Sequence, residues 1–289
     1  MNNRIEKLFQ NKDRDIVSIF FTAGYPNYND TLEIVEALDS AGADLMEIGI
    51  PFSDPLADGK TIQESSSKAI ANGMTLSNLF DQLIVLRKKT QKPIILMGYL
   101  NSVLQYGIES FYAKCHECGI DGVILPDLPI DEYEREHKHL AEKFNVIVIF
   151  LLSPLSHHNR VEEVKKAAKG FVYLVSSNST TGNEIKNAHQ LEEVIPRFNL
   201  NLPVLIGFGI KDKASFETAC KAGNGAIIGS EFIRRIGQSE NIKSTTEQFI
   251  NELKHQSYSL KKIFPQQKNP TLEIIYQKKN LLAKKSEPN

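Results

Sequence analysis

Ile16-Val17-Ser18-Ile19-Phe20-Phe21-Thr22, the turn Thr22-Ala23-Gly24-Tyr25-Pro26, a segment of helical period from Tyr28 to Ser40, and then Leu45-Met46-Glu47-Ile48 together decide the fold. A run of strand length leads through a turn into a stretch with apolar residues at three- and four-residue intervals, then into a second short apolar run. That is the unit from which parallel sheets are built. Outward from it the rhythm repeats, with further strands expected over Pro93 to Met97, Gly122 to Leu125, Val146 to Leu151, Phe171 to Val175, Pro203 to Ile206 and Ala226 to Ile228. The runs are nearly continuous in Ile, Val, Leu and Phe, as in strands covered on both faces.

Helices are predicted over Thr61 to Asn72, Leu76 to Thr90, Glu109 to Gly119 and Lys213 to Ala222, with an extra helix, Arg4 to Gln10, before the first strand. Two helical segments follow the second strand. An open doubly wound sheet usually has fewer strands and a Gly-x-Gly-x-x-Gly turn after the first, which Thr22-Ala23-Gly24-Tyr25-Pro26 lacks. The expectation is therefore α/β: a (β/α)8 TIM barrel over residues 1–257, with an N-terminal helix added and a lysine-rich C-terminal extension, 258–289, as a surface helix or disordered segment.

The 289 residues are 41% hydrophobic and 24% charged, which excludes a disordered or collagen-like chain and suits one barrel domain. A net charge of -1 offers no broad basic field for nucleic acid or an anionic membrane. The N-terminus lacks an apolar signal core, and no run approaches membrane-spanning length, so a soluble, cytoplasmic chain is expected. Three cysteines make no disulfide framework. Cys115-His116-Glu117-Cys118 lies in a helical stretch without a second Cys pair, and His137, His139, His157 and His158 are read as solvated, so no metal site is expected.

In such a barrel the chemistry sits at the C-terminal strand ends. Glu47 is the odd residue of the second strand, pointing to the same side as Leu45, either into the barrel mouth or against a helix. Burial there raises a carboxyl pKa toward the range useful for proton transfer. No strand end supplies a Lys or Arg to pair with it. Asp54 and Asp58 lie in the stiff loop Pro51-Phe52-Ser53-Asp54-Pro55-Leu56-Ala57-Asp58-Gly59, where turn and N-cap roles remain open beside chemical ones. Gly207-Phe208-Gly209 and Gly229-Ser230 follow strands seven and eight, where backbone N–H groups cradle phosphate in barrels of this kind. With no persuasive Ser, Cys or Lys nucleophile, the residues read as acid–base chemistry on a sugar-phosphate-like substrate.

Glu47-Ile48-Gly49-Ile50-Pro51-Phe52-Ser53-Asp54-Pro55-Leu56-Ala57-Asp58-Gly59, with Thr61-Ile62-Gln63, resembles the signature of the tryptophan synthase α subunit family. Thr22-Ala23-Gly24-Tyr25-Pro26, Met97-Gly98-Tyr99-Leu100-Asn101, Pro126-Asp127-Leu128-Pro129, Thr181-Gly182, Gly207-Phe208-Gly209-Ile210 and Gly229-Ser230 extend the resemblance over nearly all but the tail. It implies a carbon–carbon lyase that cleaves indole-3-glycerol phosphate to indole and D-glyceraldehyde 3-phosphate. Glu47 matches the general acid–base residue and Asp58 the carboxylate facing the indole N–H. Phe20, Tyr99, Tyr173 and Phe208 would line the indole slot, and Gly182, Gly209, Gly229 and Ser230 would hold the phosphate.

The same resemblance implies an αββα assembly in which indole passes to a β subunit for L-tryptophan synthesis. Pyridoxal phosphate is expected in that partner and no cofactor in this chain. Pro51, Asp54, Asn101 and Pro129 match the partner-facing surface, and Val175 to Asn183 matches a lid whose Thr181 meets Asp58. The chain departs from the family pattern at Ser177 and Ser179, where many relatives carry an arginine and a glycine, and at Ser102, where a proline is common. A stand-alone lyase would share the carboxylate pair; a non-catalytic barrel would not need it.

Overall fold

The computed structural model describes residues 3–175, 188–207 and 209–254, which belong to one compact unit, residues 1–255. The expected tail, 258–289, lies outside the described residues, as do Thr181, Gly182, Ser177, Ser179 and Phe208.

The apolar runs become parallel strands β1 (Ile16–Thr22), β2 (Leu45–Gly49), β3 (Ile94–Met97), β4 (Gly122–Ile124), β5 (Ile147–Leu152), β6 (Val172–Val175), β7 (Val204–Gly207) and β8 (Gly225–Ile228). They pair in sequential order, and β8 closes on β1. Strand alternation splits the side chains into two cores. Ile16, Phe20, Leu45, Ile95, Ile124, Ile149, Phe171, Tyr173, Leu205 and Ile227 fill the barrel, while Val17, Ile19, Phe21, Met46, Ile48 and their counterparts pack outward under the helices. Burial on both faces explains the near-continuous hydrophobic runs, at about 1.5–3 kcal/mol for each fully buried large aliphatic side chain.

The helices are α1 (Arg4–Asn11), α2 (Asp30–Ala41), α3 (Lys60–Ala71), α4 (Leu76–Leu83), α5 (Leu100–Tyr106), α6 (Ile108–Cys118), α7 (Ile130–Glu132), α8 (Lys138–Lys143), α9 (His158–Ala167), α10 (Ala188–Phe198), α11 (Lys213–Ala222), α12 (Ser230–Gly237) and α13 (Ile242–Lys254). No helix among the described residues is long and apolar enough to cross a membrane. α1 closes the N-terminal end of the barrel. Its Ile5 joins the inner core, Phe9 meets Phe171 at 5.7 Å between ring centroids, and Asn3 with Glu6 forms a capping box at its start.

Beside α1, Asp121 immediately precedes β4 and receives Arg4 at 3.0 Å, Arg87 at 2.6 Å and the Ile94 N–H at 2.8 Å. This ionic network lies at the N-terminal end of the barrel strands, where polar residues serve stability.

Two expectations are corrected. The helix expected over Leu76 to Thr90 stops at Leu83, and only a 3₁₀ turn, Leu86–Lys88, follows. Arg87 there turns its guanidinium to the carbonyls of Lys92 and Gly119 and to Asp121, so tertiary hydrogen bonds override helical propensity. His137, expected on a solvated surface, is fully buried, and its Nδ1 lies 3.2 Å from the Tyr112 hydroxyl. A π-helical turn, Tyr133–His137, between α7 and α8 shifts the face that His137 presents. His139, His157 and His158 are exposed as expected. Cys115 and Cys118 are buried free thiols, with burial pushing Cys118 up to about 11.

Candidate active site

Three of the positions that point inward near the C-terminal ends of the strands are glycines, and each makes room for an aromatic ring. A Cβ on Gly49 or Gly229 would lie 2.6 Å or 3.1 Å from the Phe20 ring, and one on Gly207 would overlap Tyr173. The sequence thus alternates bulk and absence around the barrel, seating Phe20 between the ends of its two neighbouring strands. Gly229 and Gly207 therefore have a packing role beside any phosphate role.

Above these rings opens a cavity of about 650 Å³. Phe20, Met97, Leu151, Tyr173 and Ile227 form its apolar part, Asp58 and Thr61 line one side, and Gly209, Lys211, Gly229, Ser230 and Arg234 line another. Sequence reasoning had placed Phe20, Asp58, Tyr173, Gly209, Gly229 and Ser230 in a site, and the barrel brings these six to one cavity. It had not singled out Met97, Leu151 and Ile227. The alternation that identified Glu47 marks them too, as inward residues at the ends of β3, β5 and β8.

Glu47 is fully buried and faces the barrel interior beside Ser18 rather than the helices, below the mouth in which the sequence reading placed it. The Ser18 hydroxyl donates to its Oε1 at 2.7 Å, and no cation pairs with it among the described residues. Among the described residues its buried Oε2 has no hydrogen-bond partner. Burial pushes the carboxyl up to about 7, against the lowering effect of the Ser18 hydrogen bond. Glu47 does not line the cavity. Its Cα is paired with Phe20, whose ring is on the lining. The Tyr173 hydroxyl is raised well above its ordinary value by burial and then by the charges of Glu47 and Asp58, so one phenol senses both carboxyls.

Asp58 lies in the loop after β2 and is held from the turn between β3 and α5. The Tyr99 hydroxyl donates to its Oδ2 at 2.8 Å and accepts the Ala57 N–H at 3.1 Å, while Gln63 donates to the Asp58 carbonyl at 2.9 Å. Tyr99 stacks on Phe52 with ring centroids 4.8 Å apart. Tyr99 stands behind Asp58 rather than on the main cavity wall. The N-cap of α3 is Gly59, and no side chain caps that helix, so Asp58 is not occupied as a helix cap. Burial raises its carboxyl, and the Tyr99 hydrogen bond opposes this.

At the far side, Gly209 adopts φ +76°, open only to residues that tolerate the left-handed region, and α12 begins at Ser230. Gly229 precedes α12 without a side-chain cap, which leaves the first backbone N–H groups of that helix for an anion. Arg234, one turn into α12, pairs with Glu231. Lys211 and Arg234 were not found from the sequence, because a lone basic residue in a loop or on a helix carries no distinguishing pattern.

Pro51 is half-buried and Asp54 and Pro129 are exposed on the loops that follow β2 and β4, and Asn101 is exposed in the first turn of α5, after β3. They share the end of the barrel on which the cavity opens.

A family model described as tryptophan synthase alpha chain matches residues 6–263. A tryptophan synthase alpha chain of Flavobacterium johnsoniae is 47% identical over 255 residues, covering 87% of this chain and 100% of that one. One of Bacteroides fragilis is 44% identical over 242 residues, covering 83% and 92%. Among solved structures, tryptophan synthase subunit alpha from Legionella pneumophila superposes with a TM-score of 0.80 at 28% identity, covering 88% of this chain and 97% of that one. Tryptophan synthase from M. tuberculosis, in an aminoacrylate-bound form, superposes at 0.77 with 25% identity, covering 87% and 98%.

Proposed function

Because the chain belongs to the tryptophan synthase alpha chain family, we propose that its barrel cleaves indole-3-glycerol phosphate to indole and D-glyceraldehyde 3-phosphate, with Glu47 and Asp58 as the reacting carboxyls. The observation that carries this reading is the fully buried Glu47 carboxyl, with no cation beside it among the described residues, beneath a cavity that Asp58 lines.

The reaction is a retro-aldol cleavage. Indole C3 gains a proton, the ring nitrogen becomes electron-poor, and the glycerol hydroxyl next to the ring loses a proton. The C–O bond becomes a carbonyl, the C–C bond breaks, and its electron pair returns to the ring. One proton is added and one is removed, so a single group can shuttle it. Such a group works best with a pKa near the operating pH, as burial gives Glu47. To reach substrate the Glu47 side chain turns from Ser18 toward the cavity.

Asp58 faces the indole N–H as the ring becomes cationic, which requires it to be ionised, and the Tyr99 hydrogen bond favours that form. Phe20 and Tyr173 supply flat apolar walls for the indole. Phe208 joins them in this reading. The phosphate lies on the backbone N–H groups around Gly209, Gly229 and Ser230, and Gly182, outside the described residues, is assigned to the same role. Lys211 and Arg234 add positive charge on that side of the cavity.

The partner in this reading is a tryptophan synthase β subunit in an αββα assembly. Pro51, Asp54, Asn101 and Pro129 face it, and indole passes through that contact to the partner's pyridoxal phosphate. In this reading Thr181, outside the described residues, would meet Asp58. The chemistry assigned to this barrel uses only its own acid–base groups.

Indole formation by the purified chain, alone and with a β subunit, tests the proposal beside Glu47→Gln. Weak activity alone, strong stimulation by the β subunit and loss in the variant are expected. No indole with the β subunit present would instead mark a non-catalytic barrel.

A further inference from the structure

Ser18 is a polar residue in an apolar place. β1 turns Ile16, Ser18 and Phe20 into the barrel, and Ile16 and Phe20 join the inner hydrophobic core on either side of it. Ser18 itself is fully buried. A hydroxyl taken out of water is unfavourable unless it is hydrogen-bonded, and the bond it makes is the one to Glu47 Oε1 at 2.7 Å. The direction of that bond carries the inference. Strand register pairs Ser18 with Leu45, and Phe20 with Glu47, so Ser18 lies one inward position deeper than Glu47. The carboxyl reaches back toward the N-terminal end of the barrel, away from the end on which the cavity opens. Its absence from the cavity lining and its unpartnered Oε2 agree with this.

We propose that Ser18 is a positioning residue for Glu47: it holds the carboxyl by Oε1 beneath the cavity floor in the free chain, and substrate draws the carboxyl off this anchor. The proposal rests on the acid–base role of Glu47. Among the described residues the hold is a single hydrogen bond and the other carboxyl oxygen lacks a partner, so a hydroxyl arriving in the cavity offers the carboxyl what the barrel withholds. The Ser18 hydroxyl donates, which favours the ionised, proton-accepting form while Glu47 waits. Anchoring also keeps a carboxylate from standing among the apolar walls before the indole enters.

The anchor acts on the free chain and not on the substrate complex, and this separates it from a purely structural role. The kcat/KM profile against pH reports free-chain groups, and the kcat profile reports those of the complex. In Ser18→Ala the Glu47 limb of kcat/KM should move upward by about one pH unit, with the Glu47 limb of kcat in place. The Glu47 carboxyl can also be followed by ¹³C NMR of glutamate side chains, assigned by the signal lost in Glu47→Gln. It should titrate higher in Ser18→Ala by the same amount, and Ser18→Thr should restore both readouts. An unmoved carboxyl titration overturns the proposal, and so does a kcat limb that shifts along with kcat/KM. If the chain with a β subunit makes no indole, the acid–base role of Glu47 falls, while the NMR titration still decides whether Ser18 holds the carboxyl.

Discussion

Tyr99 and Asp58 are 41 residues apart in sequence and joined by a 2.8 Å hydrogen bond from the phenol to Oδ2. The bond ties the loop after β2 to the end of β3, and the same phenol oxygen also accepts the Ala57 N–H. Tyr99→Phe keeps the stack on Phe52 and removes only the hydroxyl. The Asp58 carboxyl then loses the one influence that opposes its burial, and its pKa rises further. A hydrogen bond to a charged group contributes about 1.5–3 kcal/mol. Steady-state kinetics should therefore show kcat/KM lower by about 10- to 100-fold, with the deficit greatest at acid pH. Undiminished activity at pH 6 would show that Asp58 does not depend on Tyr99.

Glu47→Gln should abolish cleavage yet stabilise the fold above neutral pH. The folded carboxyl titrates at about 7 and the ordinary value is 4.5, so the native state holds its proton more tightly than the unfolded chain does. With a raised folded pKa, the stabilising contribution is fully present below about 4.5 and is lost as pH rises through about 7. At pH 8 the difference amounts to about 3 kcal/mol, at 1.36 kcal/mol per unit. Glutamine carries no charge to desolvate. Urea denaturation of the variant and the parent should diverge between pH 5 and 8 and converge at pH 4. Parallel curves would mean that the carboxyl is not dry in the folded chain.

All eight strands were legible in the sequence, because runs buried on both faces announce themselves without any tertiary knowledge. Glu47 was legible for the same reason, as a charge interrupting such a run. Period-two alternation gave its side of the strand but not its partner, since Ser18 lies on a different strand whose register is set only on closure. Tyr99 as the support of Asp58 was hidden for the same cause. The break after Leu83 was hidden because Arg87 answers to Gly119 and Asp121, groups that lie far away until β3 and β4 are side by side. Local pattern carries local structure and burial; it does not carry which distant polar group completes a hydrogen bond.

Gly207→Ala tests whether the glycines exist for the rings. The added methyl would overlap the Tyr173 ring and hydroxyl, and Tyr173 lines the cavity. Interior packing leaves no slack for the overlap, so the ring must move into the cavity, at a strain of about 1–3 kcal/mol. A higher KM for indole-3-glycerol phosphate, with a modest fall in melting temperature, is expected. Gly207→Ala combined with Tyr173→Phe should recover part of the loss, because the phenol oxygen is among the atoms struck. Failure of that rescue would point to a backbone requirement at Gly207 instead.

His137 supplies a second, opposite pH dependence. It is fully buried, its Nδ1 contacts the Tyr112 hydroxyl, and its Nε2 has no partner among the described residues. Burial lowers its pKa, with Glu132 and Glu136 opposing and His139 assisting. With a depressed folded pKa, the unfolded chain binds the proton first as pH falls. The contribution of His137 is therefore complete above about 6.5, the ordinary value, and declines below it. Urea denaturation from pH 7.5 to 5 should show stability falling in the parent and falling less in His137→Phe, which keeps an aromatic ring and cannot be charged. The Glu47 effect runs the other way through part of this window, so the comparison belongs in a Glu47→Gln background, where the His137 slope stands alone. Equal slopes with and without His137 would mean that the imidazole reaches water through the π-turn.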